Sequence, residues 1–249
     1  MAKKYQLFLG VFLMMIFMPV TASAMHIMEG FLPPVWCVSW GAITIPFLVL
    51  GLFSIQKTIR ENPRLKLLIA MAGAYVFVLS SLKMPSITGS CSHPTGVGLG
   101  AILFGPTTMT VLGLIVLLFQ ALLLAHGGLT TLGANTFSMA VIGPLVSFAT
   151  YKICKKLNGS RWFSVFLAAA LGDLATYVTT SVQLAIAFPA ETGGFLTSFL
   201  KFYSIFAITQ IPLAISEGIL TAITINAIAA YNKEDLQNLK GLTGEVAEI

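Results

Sequence analysis

Apolar runs long enough to cross a bilayer recur along this chain, separated by short polar stretches. Val35–Phe53, Leu65–Leu82, Thr107–Ala125 and Trp162–Phe188 are the clearest; Thr136–Tyr151 is shorter and Tyr203–Ala230 is long enough to tilt or extend beyond the lipid. A helix rises about 1.5 Å per residue, so roughly 20 apolar residues cross a core about 30 Å thick. The pattern predicts an all-α membrane protein.

The first apolar run has a different character. Lys3 and Lys4 precede Leu7–Val20, and Ala22-Ser23-Ala24 follows as a small-residue cleavage site. This is the layout of a secretory signal peptide. It predicts cleavage after Ala24 and a mature chain starting Met25-His26-Ile27-Met28-Glu29-Gly30, with its amino terminus outside the cytoplasmic membrane. The expected organisation is a signal peptide over 1–24, an extracytoplasmic amino terminus over 25–34, a helical membrane domain over 35–230 and a cytoplasmic tail over 231–249.

Basic residues then set the topology. Lys57, Arg60, Arg64 and Lys66 cluster between the first two runs, and Lys152, Lys155, Lys156 and Arg161 between Tyr151 and Trp162. Short basic loops stay in the cytoplasm. Returning inside at the second cluster requires an even number of crossings after the first, yet only three obvious runs lie between. Gly96–Phe104 is the candidate for the fourth. It is too short to cross alone, so it must borrow flanking residues or be shielded by other helices; its glycines suit close packing. About seven mature spans result, outside to inside.

Composition agrees. Of 249 residues 57% are hydrophobic and 9% charged, against about 25% charged in a soluble domain. The net charge of +5 lies in loops between apolar runs and does not point to nucleic acid.

The topology places all three histidines, His26, His93 and His126, at the outer face. A histidine in a membrane protein is a functional hypothesis by default, and convergence of three strengthens a metal site. A processed Met-His terminus is itself a chelator: the Met25 amine, the His26 backbone nitrogen and the His26 ring Nδ1 close adjacent small rings. A second imidazole, from His93 or His126, supplies a fourth nitrogen. Square-planar nitrogen sites suit Cu(II) or Ni(II), and the lost amide proton makes binding weaken in acid.

Four stretches stand out: Met25-His26-Ile27-Met28-Glu29-Gly30-Phe31-Leu32-Pro33-Pro34, Gly89-Ser90-Cys91-Ser92-His93-Pro94-Thr95-Gly96-Val97-Gly98, the run from Ala125-His126-Gly127 to Gly133-Ala134-Asn135, and Asp173-Leu174-Ala175-Thr176-Tyr177. They resemble the CbiM family, the cobalt-binding subunits of energy-coupling-factor (ECF) transporters. The resemblance covers nearly all of the mature chain. It implies a metal site of Met25, His26 and His93, with His126, Ser92, Asn135 and Glu29 supporting it. It also implies Co(II) as transported substrate for cobalamin synthesis. The implied partners are a transmembrane coupling subunit, ATPase subunits and a small membrane subunit. Geometry alone leans toward Ni(II); the resemblance implies cobalt.

The chain contains neither a G-x-x-x-x-G-K-[ST] phosphate loop nor H-E-x-x-H, so neither ATP hydrolysis by that loop nor zinc proteolysis is expected of it. It is expected to be no enzyme and to carry no permanent cofactor. Asp173, Gln183, Gln210, Glu217 and Asn226 lie within the last two spans. Asp173 and Glu217 could serve a self-sufficient proton-coupled carrier; interhelical hydrogen bonding, helped by Thr176, Thr179 and Thr180, is the favoured reading. Cys91 is a conceivable soft ligand or a disulfide partner for Cys37, and Ala70-x-x-x-Ala74 a face for a coupling subunit. Thr192-Gly193-Gly194 reads as an outer turn.

Overall fold

The computed structural model describes residues 26–86 and 91–231. The expected signal peptide, the Met25 amine and the tail beyond Tyr231 lie outside these residues. Seven helices occur among the described residues: α1 (Pro34–Glu61), α2 (Leu65–Ser81), α3 (Val97–Phe104), α4 (Pro106–Leu124), α5 (Leu132–Lys156), α6 (Arg161–Ala187) and α7 (Gly194–Tyr231). Five of them, all but α2 and α3, are long and apolar enough to cross a membrane. A short antiparallel ribbon pairs β1 (Met84–Pro85) with β2 (Cys91–Ser92). The chain is a helical membrane protein.

Helix boundaries follow local chemistry. Pro34 starts α1, where its missing N–H costs nothing. The helix runs past the expected Phe53 to Glu61, which lies 4.0 Å from Lys57 in an exposed i,i+4 pair. At 28 residues, α1 is longer than the bilayer core requires. Ser160 caps α6 by accepting the Phe163 N–H at 3.4 Å. The turn before α7 uses positive φ at Gly193 and Gly194, in the expected place. Helix α7 begins earlier than the pattern suggested, at Gly194, and extends over 38 residues.

Gly96–Phe104, the expected weak span, forms the 8-residue α3, flanked by Gly96 (φ 72) and Gly105 (φ 86). All residues from Cys91 to Phe104 are buried. Helix α5 contains a π-helical segment, Phe137–Ile142, just before Pro144. Proline has no N–H for the carbonyl four residues back, so the ladder loosens there.

Helix α6 packs along α5 and α7. One apolar cluster gathers Leu65, Leu68, Leu103, Tyr151 and Ile225; another gathers Ile27, Leu32, Ala134, Tyr177, Leu184 and Phe206. The second cluster draws Ile27 and Leu32 of the amino-terminal segment into the body of the protein. Close backbone approach supports it: a Cβ on Gly133 would lie 2.5 Å from Gly41 Cα, which draws α5 against α1. Ala70 and Ala74 face outward on α2. Cys37 and Cys91 are not joined by a disulfide.

Candidate metal centre

His26, His93 and His126 come from three separate segments and meet in one buried cluster. Ring centroids are 4.7 Å apart for His26–His93, 4.6 Å for His26–His126 and 5.0 Å for His93–His126. One nitrogen from each lies within 4.8 Å of the others, and all three residues are buried. Two imidazole nitrogens on a single ion sit roughly 3–4 Å apart, given metal–nitrogen bonds of about 2.0–2.1 Å. A small inward closure would therefore place all three on one cation. Cys91 is not part of the cluster, and the geometry does not separate His126 from the other two imidazoles.

The amino-terminal segment reaches the site by an anchor on Ile27. Asn135 of α5 accepts the Ile27 N–H at 2.8 Å through Oδ1 and donates from Nδ2 to the Ile27 carbonyl at 3.0 Å. The Thr131 hydroxyl donates to that carbonyl at 2.6 Å. Further along, the Glu29 N–H donates to the Gly127 carbonyl at 3.3 Å, and the Glu29 carboxylate accepts the Thr130 N–H at 3.1 Å. Hydrogen bonds from Thr130 hold the Glu29 carboxyl below the usual range. Gly127 adopts φ +77, and a Cβ on Gly128 would strike the Glu29 backbone at 2.5–2.6 Å. The glycines after His126 thus admit the amino-terminal strand.

His93 is held from the opposite side. Its Nδ1–H donates to the Pro94 carbonyl at 3.0 Å, since a carbonyl can only accept. That tautomer leaves a lone pair on Nε2, which has no protein partner. The His93 carbonyl accepts from the Tyr177 hydroxyl at 2.8 Å and from Gln210 Nε2 at 3.2 Å. Gln210 also donates to Asp173 Oδ2. Glu217 accepts the Thr95 N–H, the Gly96 N–H at 2.9 Å and the Thr95 hydroxyl. A carboxylate from α7 therefore seats the amino terminus of α3, where exposed N–H groups favour an anion.

The Asp173 and Glu217 carboxylates are thus built into interhelical hydrogen bonds, as the favoured reading held. The threonine helpers are not: Thr176, Thr179 and Thr180 each donate to a carbonyl four residues back in α6. The Ser92 hydroxyl pairs with Thr209 at 2.6 Å rather than with an imidazole.

Burial sets the charge state of the cluster. It holds His126 down to about 2, with His93 and Lys83 adding to the effect. His26 is held well below the ordinary histidine range by burial, then by His126 and His93. Burial favours the neutral form of the His26 and His126 rings, the form that ligates a metal.

Sequence reasoning did not single out Thr131, Tyr177 or Gln120 as site residues. Gln120 carried a signal, being an amide inside an otherwise apolar run.

Residues 26–234 match the family model described as "Cobalt uptake substrate-specific transmembrane region", CbiM. A cobalt transport protein CbiM from Moorella thermoacetica is 63% identical over 226 residues, covering 91% of this chain and 87% of that protein. The CbiM of Thermosipho melanesiensis is 63% identical over 230 residues, covering 92% and 97% respectively. Two crystal structures described as transition metal transporters share the fold. One is a truncated form with TM-score 0.72, 24% identity and coverage of 83% of this chain and 99% of that chain; the other has TM-score 0.73, 24% identity and coverage of 86% and 96%.

Proposed function

This chain belongs to the CbiM family, and from that premise we propose that it captures cobalt(II) at the outer face of the cell membrane for an ATP-driven ECF-type importer. The observation that carries this reading is the buried cluster of His26, His93 and His126, with their nitrogens within 4.8 Å of one another. His93 Nε2 and both His126 nitrogens have no protein partner and are open to a cation.

In the proposed site the Met25 amine, the His26 backbone nitrogen and His26 Nδ1 chelate the metal, and His93 Nε2 completes the plane. His126 stands beside it as a further donor. Asn135, Glu29 and Ser92 act by holding the strands that carry the ligands. Nickel(II) fits the same planar nitrogen set and is the alternative cargo.

The proposed mature chain begins at Met25 after removal of residues 1–24, crosses the membrane seven times and ends in the cytoplasm. Cys91–Phe104 supports the third crossing. All of its residues are buried, so its backbone is shielded by the other helices as a non-ideal crossing requires. Energy comes from partner ATPases through a transmembrane coupling subunit, assisted by a small membrane subunit. The imported cobalt would feed cobalamin synthesis. A self-sufficient proton-driven carrier is less favoured, because Glu217 and Asp173 are occupied in seating the His93 segment and bonding Gln210.

The test is insertion of one alanine between Ala24 and Met25, with the processed terminus confirmed by mass spectrometry. Every side chain stays, but the Met25 amine becomes an amide. A histidine in third place then fills all four planar positions with its own strand and leaves none for His93. Cobalt uptake should fail. Normal uptake with the longer terminus confirmed would reject the amino-terminal chelate.

A further inference from the structure

Three buried imidazoles each carry at least one ring N–H, and each N–H must find an acceptor. His93 gives its own to Pro94. The ring nitrogens with no partner are His26 Nε2, His93 Nε2 and both nitrogens of His126. One buried acceptor beside them is equally unsatisfied: Oε1 of Gln120, on the last turn of α4.

The orientation of that amide is fixed by its neighbours. Ser80 spends its single proton on the Val76 carbonyl, so its oxygen can only accept from Gln120. Gln120 Nε2 therefore faces Ser80, at 2.6 Å, and Oε1 is the end left over. Gln120 is fully buried. Its backbone carbonyl accepts the His126 N–H at 3.1 Å, which places the residue against the histidine cluster. The Gln120 side chain also lies beside the His26 ring.

We propose that Gln120 is the positioning residue for His26: its Oε1 accepts the His26 Nε2–H and so turns Nδ1 toward the metal. The inference rests on the chelate proposed above, in which Nδ1 is the ligating atom. Nε2 is then the nitrogen that carries the proton, and it is the His26 nitrogen left without a partner. Ser80 sets the amide, the amide sets the ring, and the ring presents one nitrogen. Partners of this kind around a metal ligand are commonly worth about 10–100-fold in affinity.

The test is nickel(II) titration of the processed protein in detergent, followed by the visible absorption of planar nickel bound to a deprotonated amide. Gln120→Leu should weaken binding about 10–100-fold. Gln120→Glu keeps an acceptor toward His26, with the Ser80 hydroxyl turning from Val76 to donate to the other carboxylate oxygen, and should restore affinity to within a few-fold of the parent. Ser80→Ala leaves every site group present but frees the amide to turn, and should fall between the two. Nitrogen-15 spectra of the histidines should show the His26 proton on Nε2, with a signal that moves in Gln120→Leu. Parent-like affinity in Gln120→Leu, or a Gln120→Glu protein as weak as Gln120→Leu, would overturn the inference while the planar band persists. Should Gln120→Leu fail to fold, a weak Gln120→Glu or a parent-like Ser80→Ala would overturn it as well. Absence of the planar band from the nickel-loaded parent would instead remove the chelate, and this inference with it.

Discussion

The segments carrying His26 and His93 are held from opposite sides, and the two anchors differ in where they can be disturbed. Both grip backbone rather than imidazole: Asn135 and Thr131 hold the Ile27 peptide, whereas Tyr177 and Gln210 hold the His93 carbonyl. The first anchor continues to the exposed Glu29 and Thr130 at the loop surface. The second ends on Glu217 and Asp173, both fully buried between helices. One ligand strand is therefore tied to an outer loop, the other to the helix core. A metal that joins them joins loop to core.

The largest expected effect separates the two sides by their protons. Burial holds His126 down to about 2, so it takes up no proton between pH 7.5 and pH 6. The proposed Met25 amine, with an ordinary value near 8, and the His26 amide both release protons on chelation. Affinity for nickel(II) should therefore fall as pH falls, by roughly a thousandfold across that window for two displaced protons. A site made of imidazoles alone would stay nearly flat there, and isothermal titration at several pH values distinguishes the two.

Next comes the core anchor. Glu217→Leu strands three donors, the Thr95 and Gly96 N–H groups and the Thr95 hydroxyl, at about 1–3 kcal/mol each. A lower melting temperature in detergent and at least a hundredfold weaker metal binding are expected. An unchanged melting temperature would mean that α3 does not need this seat.

On the outer anchor, Asn135→Ala removes both bonds to Ile27 but leaves Thr131. Metal affinity should drop roughly tenfold or more, given about 1 kcal/mol per bond, with little change in apo melting temperature. A large fall in apo stability would erase the distinction between loop and core.

Tyr177→Phe deletes one donor to the His93 carbonyl while Gln210 stays. About a fivefold loss of affinity is expected from one hydrogen bond of about 1 kcal/mol. Glu29→Gln keeps an acceptor at an exposed position and should change affinity by less than about threefold, as surface substitutions usually do.

Much of this was legible in the chain because lipid imposes a simple code. Charged residues mark loops and apolar runs mark helices, so each helix among the described residues falls on a stretch that pattern and charge parity mark, including the weak one at Gly96–Phe104. What pattern could not give is the path of that segment. The non-helical backbone before α3 is held by Tyr177, Gln210 and Glu217, and those residues lie about 80 to 120 positions away in sequence. The histidines were readable because each stands out chemically in an apolar chain. Gln120 was not, since its role depends on which end of an amide faces Ser80. The hydroxyls of Thr176, Thr179 and Thr180 misled for a related reason: a threonine within a helix can satisfy itself on its own backbone.

The hold on Ile27 also works as a gauge of length. It grips the backbone of one residue, N–H and carbonyl, and leaves a fixed overhang of two residues to the proposed processed end at Met25. A peptidase cut displaced by one residue would leave the clamp filled and the fold intact, yet present a terminus one residue too long or too short for the pocket. Accuracy of the export machinery would thereby become a condition of metal uptake, read out by a buried asparagine that touches neither the cut site nor the metal.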